Sequence, residues 1–151
     1  MTAYSTISYY LIVNIPECTA DEAFLAEVLA GRVPPDGFGH GQHVRLAFLL
    51  IARYGFSEGA DRTYEAIEGL SLRHGHGRKF HATLSTLWPR LVAAHMGRAA
   101  EGFGAFVARE HALLDKTLPY RFYSSKRMWS DAARARFVEP DLCDLPRVQH
   151  V

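Results

Sequence analysis

Apolar residues recur every three or four positions through most of this chain, and this spacing predicts amphipathic helices rather than strands. The pattern falls into segments bounded by capping residues, glycines or prolines. The five predicted helices span residues 19–30, 39–54, 57–73, 79–95 and 101–118. We therefore predict an all-α fold, in which a single compact bundle of five or six helices forms one domain, 1–151.

Short polar residues and glycines mark the ends of these predicted helices. Thr19 or Asp21 can cap the first helix, and Gly31 follows its last turn. Gly55 stands where the second helix should stop, and Ser57 can cap the third. The helix boundaries therefore follow from local chemistry as well as from apolar spacing.

The two ends of the chain lack the helical pattern. Residues 1–18 contain a tyrosine-rich and β-branched stretch that predicts an extended arm, packed on the domain or on a second subunit in a homodimer. This stretch has no basic leader and is far shorter than the roughly 20 apolar residues that cross a bilayer. Residues 119–151 predict an irregular tail with one short helix, which Ser130 caps and Asp131 begins.

Composition and charge limit the classes of binding partner that we expect. The chain has 151 residues, of which 48% are hydrophobic, and 17 Lys plus Arg against 16 Asp plus Glu give a net charge of +1. Without a basic block we expect neither nucleic acid nor membrane as a partner. Cys18 and Cys143 lie far apart in sequence. They favour reduced thiols in a cytoplasmic protein, and a bridge between them is the alternative.

Histidines at predicted helix starts are the strongest indication of chemistry. In the second helix, His40, His43, Ala47, Leu50 and Tyr54 follow one another at steps of three and four, so they share a face. The positive end of the helix dipole disfavours an imidazolium there. Neutral imidazole is the form that binds metals and acts as a general base.

His81 opens a comparable stripe on the fourth helix, followed by Ser85 and Trp88. If the two helices face each other, the rings of His40, His43 and His81 converge. Three interpretations stay open for them: ligands of a divalent transition metal, zinc or iron; a metal-free catalytic or ligand-binding cluster; or hydrogen-bonded core residues.

The carboxy-terminal region offers a second set of polar groups. Tyr123 and Arg127 could form a cradle for a carboxylate or phosphate beside the short helix. In the alternative interpretation, the arginines of this region pair with Asp131, Glu139 and Asp141 and hold the tail down.

These patterns predict a small enzyme that acts on a small organic molecule as an isomerase, lyase, cyclase or hydrolase. The residues that we expect in catalysis are His40, His43, His81 and Tyr123, and those that we expect to bind substrate are Arg127, Tyr54, Trp88 and Ser85. Aromatic residues around a few polar groups are typical of a pocket for a flat ligand. The alternative is a non-catalytic ligand-binding or protein-interaction domain with structural histidines.

Several strings of the sequence resemble those of a group of short, uncharacterised bacterial all-helical proteins. The strings are Phe38 to Ala47, Lys79 to Leu84 with Trp88, Phe122 to Ser124, and Arg136 to Leu142. The similarity runs from about residue 20 onward and leaves out the amino-terminal arm. It implies a bacterial, self-contained soluble domain and brings no activity with it.

Overall fold

The computed structural model describes residues 20–97 and 100–149. The seven α-helices in these residues are α1 (20–29), α2 (His40–Tyr54), α3 (Phe56–Arg73), α4 (Ala82–His95), α5 (Phe103–Arg109), α6 (Ser125–Met128) and α7 (Asp131–Ala135). No strand occurs in these two ranges. The predicted all-α bundle is confirmed.

Helix α2 is central because it is buried on two faces. Leu46 and Leu50 pack with residues of α1 and α3 in one apolar cluster. Val44 and Phe48 belong to a larger cluster that includes residues of α4, α5 and the tail. The single predicted stripe along α2 was therefore too narrow, and Tyr54 at its end is 37% exposed.

Helices α2 and α3 form an antiparallel hairpin with a very close approach near its turn. Gly55 joins them with a φ of +80°, a conformation that glycine adopts without steric cost. A Cβ at Gly59 would lie 2.6 Å from Cα of Ile51. Only a residue without a side chain fits at Gly59, so this contact fixes the spacing of the two helices.

The end of α1 matches its prediction, whereas Asp21, one of the two residues proposed to cap its start, does not cap it. Gly31 has a φ of +69°, and the amide of Arg32 donates to the carbonyl of Glu27 at 3.0 Å, the pattern of a Schellman cap. Asp21 lies inside the helix and pairs with Arg45 of α2 at 2.5 Å. Its carboxylate therefore joins two helices instead of capping one.

Of the other two predicted caps in the described residues, one is confirmed and one is wrong. Oγ of Ser130 accepts from the amide of Ala133 at 3.2 Å and begins α7, as predicted. Ser57 makes no cap, because α3 begins one residue earlier and follows Gly55 directly. Thr19 lies outside the described residues.

The fourth and fifth helices are shorter than predicted. Helix α4 begins at Ala82, and residues Gly77–Lys79 form a separate 3-10 turn. After α5 the chain turns at Glu110 into a 3-10 helix, His111–Leu114. This turn buries Leu113 in the larger apolar cluster.

The carboxy-terminal tail is fixed to the bundle by buried polar groups. The hydroxyl of Thr83 donates to the carbonyl of Arg136 at 3.0 Å and accepts from the amide of Val138 at 3.2 Å. The phenol of Tyr123 donates to the carbonyl of Val138 at 2.8 Å. These bonds satisfy buried backbone groups of the tail, so the tail belongs to the folded core.

Some predictions concern residues that the structure does not describe. The extended arm 1–18, the homodimer contact through it and Cys18 all lie there. Cys143 is exposed, and its thiol donates to the carbonyl of Arg121 at 3.1 Å. None of the helices in the described ranges has the length and apolarity to cross a membrane.

Candidate functional site

A cavity of about 610 Å³ lies at the open end of the α2–α3 hairpin, beside the start of α4. Its aromatic lining residues are Phe38, Phe80, Trp88, Tyr120 and Trp129. Its lining histidines are His40, His43, His74, His76 and His81. An aromatic wall with a few polar groups is the usual composition of a small-molecule site.

Five of the eight residues predicted for the site meet in this cavity. Residues from α2 are His40 and His43, and those from the start of α4 are His81, Ser85 and Trp88. The expected convergence depends on α2 and α4 packing against each other, which they do through the larger apolar cluster.

The other three predicted residues lie elsewhere. Tyr123 is fully buried in the core, where burial raises the pKa of its phenol to about 12, so the proton that it donates to the tail stays in place. Nε of Arg127 donates to the carbonyl of Glu139 at 3.0 Å. The ring of Tyr54 lies under the guanidinium of Arg62, 4.0 Å away. None of the three lines the cavity.

The carboxy-terminal cradle is therefore replaced by a fastening of the tail. Ser124 caps α6, and both its amide and its hydroxyl donate to the carboxylate of Asp141. These hydrogen bonds hold the pKa of Asp141 below its usual value. The polar groups near residue 124 bind the chain's own carboxylate and carbonyls and hold the tail down. They do so without the arginine–carboxylate pairs of the alternative interpretation, because Arg127 bonds a backbone carbonyl and Ser124 binds Asp141.

His40 is wedged between two other elements. Its Nε2 lies 2.9 Å from the carbonyl oxygen of Leu113, which can only accept, so Nε2 carries the proton. Its ring lies 4.3 Å from the ring of Trp88, centre to centre. Burial lowers the pKa of His40, and the nearby charge of Lys116 lowers it further. His40 is therefore neutral at pH 7.

His43 is held by its own helix start. Its Nδ1 donates to the carbonyl of Gly39 at 2.8 Å, and its ring packs edge-on against Phe38 at 4.6 Å. Burial is the main cause that lowers the pKa of His43, and repulsion from His40 adds to it. This ring too is neutral at pH 7, with the proton on Nδ1.

Each of these two rings keeps one nitrogen with a lone pair, Nδ1 in His40 and Nε2 in His43. Neither nitrogen has a hydrogen-bond partner among the described residues. Solvent reaches both, because no buried side-chain nitrogen or oxygen in the described part of the chain lacks a partner. Both rings therefore keep a neutral, basic nitrogen that is open to solvent, and both residues line the cavity.

His81 differs because both of its nitrogens are occupied. Its Nδ1 accepts from the amide of Leu84 at 3.2 Å, which caps α4, and its Nε2 donates to the carbonyl of Met128 at 2.7 Å. The side chain is 5% exposed, and burial lowers its pKa. His81 joins the start of α4 to the end of α6 and has no lone pair left for a substrate or a metal.

The three-histidine metal site is not formed in the described part of the chain. No group of three His, Cys, Asp or Glu side chains within 20–97 and 100–149 is placed to hold a metal ion. The physical reason is the double hydrogen bonding of His81, since a zinc or iron ligand must offer a free imidazole lone pair.

Sequence reasoning missed the residues of the cavity that come from the segment after α5. Lys116, Thr117 and Tyr120 line the cavity, but this segment was predicted to be the end of a long helix and the start of a tail. The contact of His40 with Leu113 joins residues 73 positions apart. No periodicity in the sequence reports a contact of that kind.

Comparison of the chain with protein-family models, curated proteins and solved structures gave no match. The chemistry of the cavity is therefore argued from its own geometry.

Proposed function

We propose that this protein is a small metal-free enzyme that uses His40 and His43 as a general acid–base pair on a small organic molecule. The reaction classes that need only proton transfer at such a pair are isomerisation, elimination, cyclisation and hydrolysis. We propose no catalytic role for His81, which instead positions the start of α4.

One observation carries the proposal: two neutral imidazoles, each fixed at one nitrogen by a backbone carbonyl, line one aromatic cavity with the other nitrogen unoccupied. The carbonyls of Leu113 and Gly39 fix the tautomers, so each ring offers a lone pair without rearrangement. The rings of Trp88 and Phe38 restrict rotation of the two imidazoles.

The two histidines are suited to carry one proton between them. A charge on His40 lowers the pKa of His43, so protonation of one ring opposes protonation of the other. The ring that takes a proton from the substrate becomes an imidazolium hydrogen-bonded to a carbonyl, and it can return that proton to another atom. Such a transfer needs no third group.

The test is turnover in a complex mixture of metabolites. Purified wild-type protein and the variants His40→Gln and His43→Gln are incubated with the mixture, and mass spectrometry follows every compound. His95→Gln is the matched control, because His95 bonds the carbonyl of Leu91 and does not line the cavity.

We expect wild type and His95→Gln to convert the same compound and both cavity variants to lose at least about a hundredfold in rate, the usual contribution of acid–base catalysis. Circular dichroism checks that all four proteins are folded. Equal conversion by His40→Gln and His43→Gln, or no conversion by wild type, contradicts the proposal.

A second candidate is a non-catalytic ligand-binding or protein-interaction domain. The observation that favours it is that His40, His43 and His81 each bond a backbone carbonyl, as structural histidines do. In that case a ligand taken from the mixture is recovered unchanged, and its affinity is the same for wild type and the two cavity variants.

Two further parts of the proposal rest on composition and on the resemblance of the sequence strings. We assign the protein to the cytoplasm of a bacterium, with a small molecule as its principal partner. The homodimer through the amino-terminal arm remains a prediction, which the elution volume of the full chain against that of a chain lacking residues 1–18 can test.

A further inference from the structure

We infer that the ligand of this cavity is a flat aromatic carboxylate, whose ring lies against the aromatic wall while its charge meets the lysines at the mouth. This inference rests on the proposed function, because it names the substrate class of the same cavity. Three observations carry it: the charges of the lining, the position of those charges, and the shape of the apolar wall.

The charges that line the cavity have one sign. The sequence contains three lysines, Lys79, Lys116 and Lys126, and the first two line the cavity. No Asp or Glu is among the lining residues. Neither lining lysine takes part in an ion pair with another described residue. Their charges are therefore available to an anion from outside the chain.

Both lysines lie where the cavity meets solvent, since both side chains are exposed. Lys116 is close enough to His40 to lower its pKa. The acid next to it, Asp115, is turned to Thr117, whose amide and hydroxyl donate to its carboxylate at 2.8 and 2.7 Å. Asp115 is not among the lining residues, although its charge also reaches His40, where it raises the pKa and opposes the effect of Lys116.

The apolar part of the lining suits a flat ring. Tyr120 and Trp129 are 39% and 46% exposed, and Nε1 of Trp129 donates to the hydroxyl of Tyr120 at 2.8 Å. This bond joins two large aromatic side chains at the cavity, although exposed aromatics of this size are uncommon without a partner. Trp88 and Phe80 continue the wall from α4 and the turn before it.

A carboxylate fits better than a neutral or cationic group at the same place. Lysine binds anions as a point charge, and a protonated amine would meet two ammonium groups with no acid among the lining residues to balance them. The ligand is therefore oriented, with its apolar ring inside and its charge at the mouth. The neutral bases His40 and His43 line the same cavity as the aromatic wall and the two lysines.

The experiment compares three ligands of one shape and three charges: 2-naphthoate, 2-naphthamide and 2-naphthylmethylamine, each titrated calorimetrically into the full chain. We expect naphthoate to bind at least about fivefold more tightly than the amide, the amine to bind most weakly, and the naphthoate preference to shrink in high salt. Binding of the amine equal to or tighter than that of naphthoate overturns the inference, and so does no binding of any of the three.

Lysine variants test whether Lys79 and Lys116 cause the preference for naphthoate over the amide. Lys79→Met and Lys116→Met should each weaken naphthoate binding about two- to fivefold and leave amide binding unchanged. Lys126→Met is the matched control, because Lys126 is exposed but does not line the cavity. Equal effects of all three substitutions contradict the inference.

Tryptophan fluorescence locates the ligand, since both tryptophans of the chain, Trp88 and Trp129, line the cavity. Naphthoate should change the emission of Trp88→Phe and of Trp129→Phe, each of which keeps one cavity tryptophan. The double variant His40→Gln/His43→Gln should keep the charge preference while it loses turnover. Charge preference without turnover in wild type would contradict the proposed enzyme alone, and turnover without charge preference would contradict this inference alone.

Discussion

The starts of α2 and α4 stand side by side at one cavity and use histidine in opposite ways. At α2, His40 and His43 each hydrogen-bond a backbone carbonyl through one ring nitrogen, and the other nitrogen has no partner. At α4, both ring nitrogens of His81 are hydrogen-bonded, one to the backbone of its own helix and one to the carbonyl of Met128. The same residue type close to a helix start keeps a free nitrogen in one case and is fully hydrogen-bonded within the fold in the other.

The difference teaches that hydrogen-bond occupancy, not position at a helix start, separates a candidate base from an anchor. Burial lowers the pKa of His40, His43 and His81 alike, so a shifted pKa does not distinguish them. A neutral ring can act on a ligand only through a nitrogen that the protein has left free.

The largest effect that separates the two helix starts is expected from His81→Ala. The substitution removes the cap of α4 and leaves the carbonyl of Met128 without its donor, at a combined cost of about 2 to 4 kcal/mol in the free energy of unfolding. His81→Asn, which can still cap the helix, should recover about 1 kcal/mol. Urea unfolding measures both. An alanine variant as stable as wild type would remove His81 from the role of anchor.

Thr83→Val tests whether the start of α4 also fastens the carboxy-terminal tail. This near-isosteric change leaves the partly buried carbonyl of Arg136 and the buried amide of Val138 unpaired, and should cost about 1 to 3 kcal/mol. Thr86→Val is the control one turn on, because Thr86 is exposed and bonds only the carbonyl of Ala82 within its own helix. Equal losses in the two variants would contradict a tail fastened through Thr83.

On the α2 side, His40→Gln and His43→Gln should each change the free energy of unfolding by about 1 kcal/mol or less. Both rings are only half-buried, and the carbonyl of Gly39 also accepts from two backbone amides, so little is left unsatisfied. The same urea titration provides the measurement. A loss as large as that of His81→Ala would erase the distinction between the two helix starts.

The smallest effect is a pH dependence. The folded-state pKa of His40 and of His43 lies below the unfolded value of about 6.5, so the unfolded chain binds more protons below that pH. Their contribution to stability is therefore present above about pH 6.5 and is lost as the pH falls through the folded pKa. Proton NMR of the imidazoles should give midpoints below 6.5 for both, and a midpoint above it contradicts the burial.

Local signals in the sequence accounted for much of the fold. Helix α2 with Gly55 after it, Gly31 after α1 and the cap at Ser130 were all predicted, because each depends on residues within about one turn. The prediction of the fifth helix was wrong after Arg109, where the chain turns into a 3-10 helix whose Leu113 packs in the larger apolar cluster.

The candidate site was predictable only in part for the same reason. That His40 and His43 share a face follows from their spacing, and both line the cavity. The second bond of His81 goes to Met128, 47 positions away, and Tyr123 bonds Val138 across a fold of the tail. Roles set by such distant partners leave no trace in periodicity.

The missing side chain at Gly59 has a consequence for the cavity at the other end of the hairpin. From Ile51 back to His40, α2 extends about 16 Å at 1.5 Å per residue, and this rod is rigid on the scale of a methyl group. An alanine at Gly59 would therefore push α2 and α3 apart near their turn and displace the helix ends that carry His43 and His74. A methyl at the matched position Gly69, which has open space around it, would not. The width of the cavity therefore depends on the absence of a Cβ at Gly59, one helical turn from Thr63 in its lining.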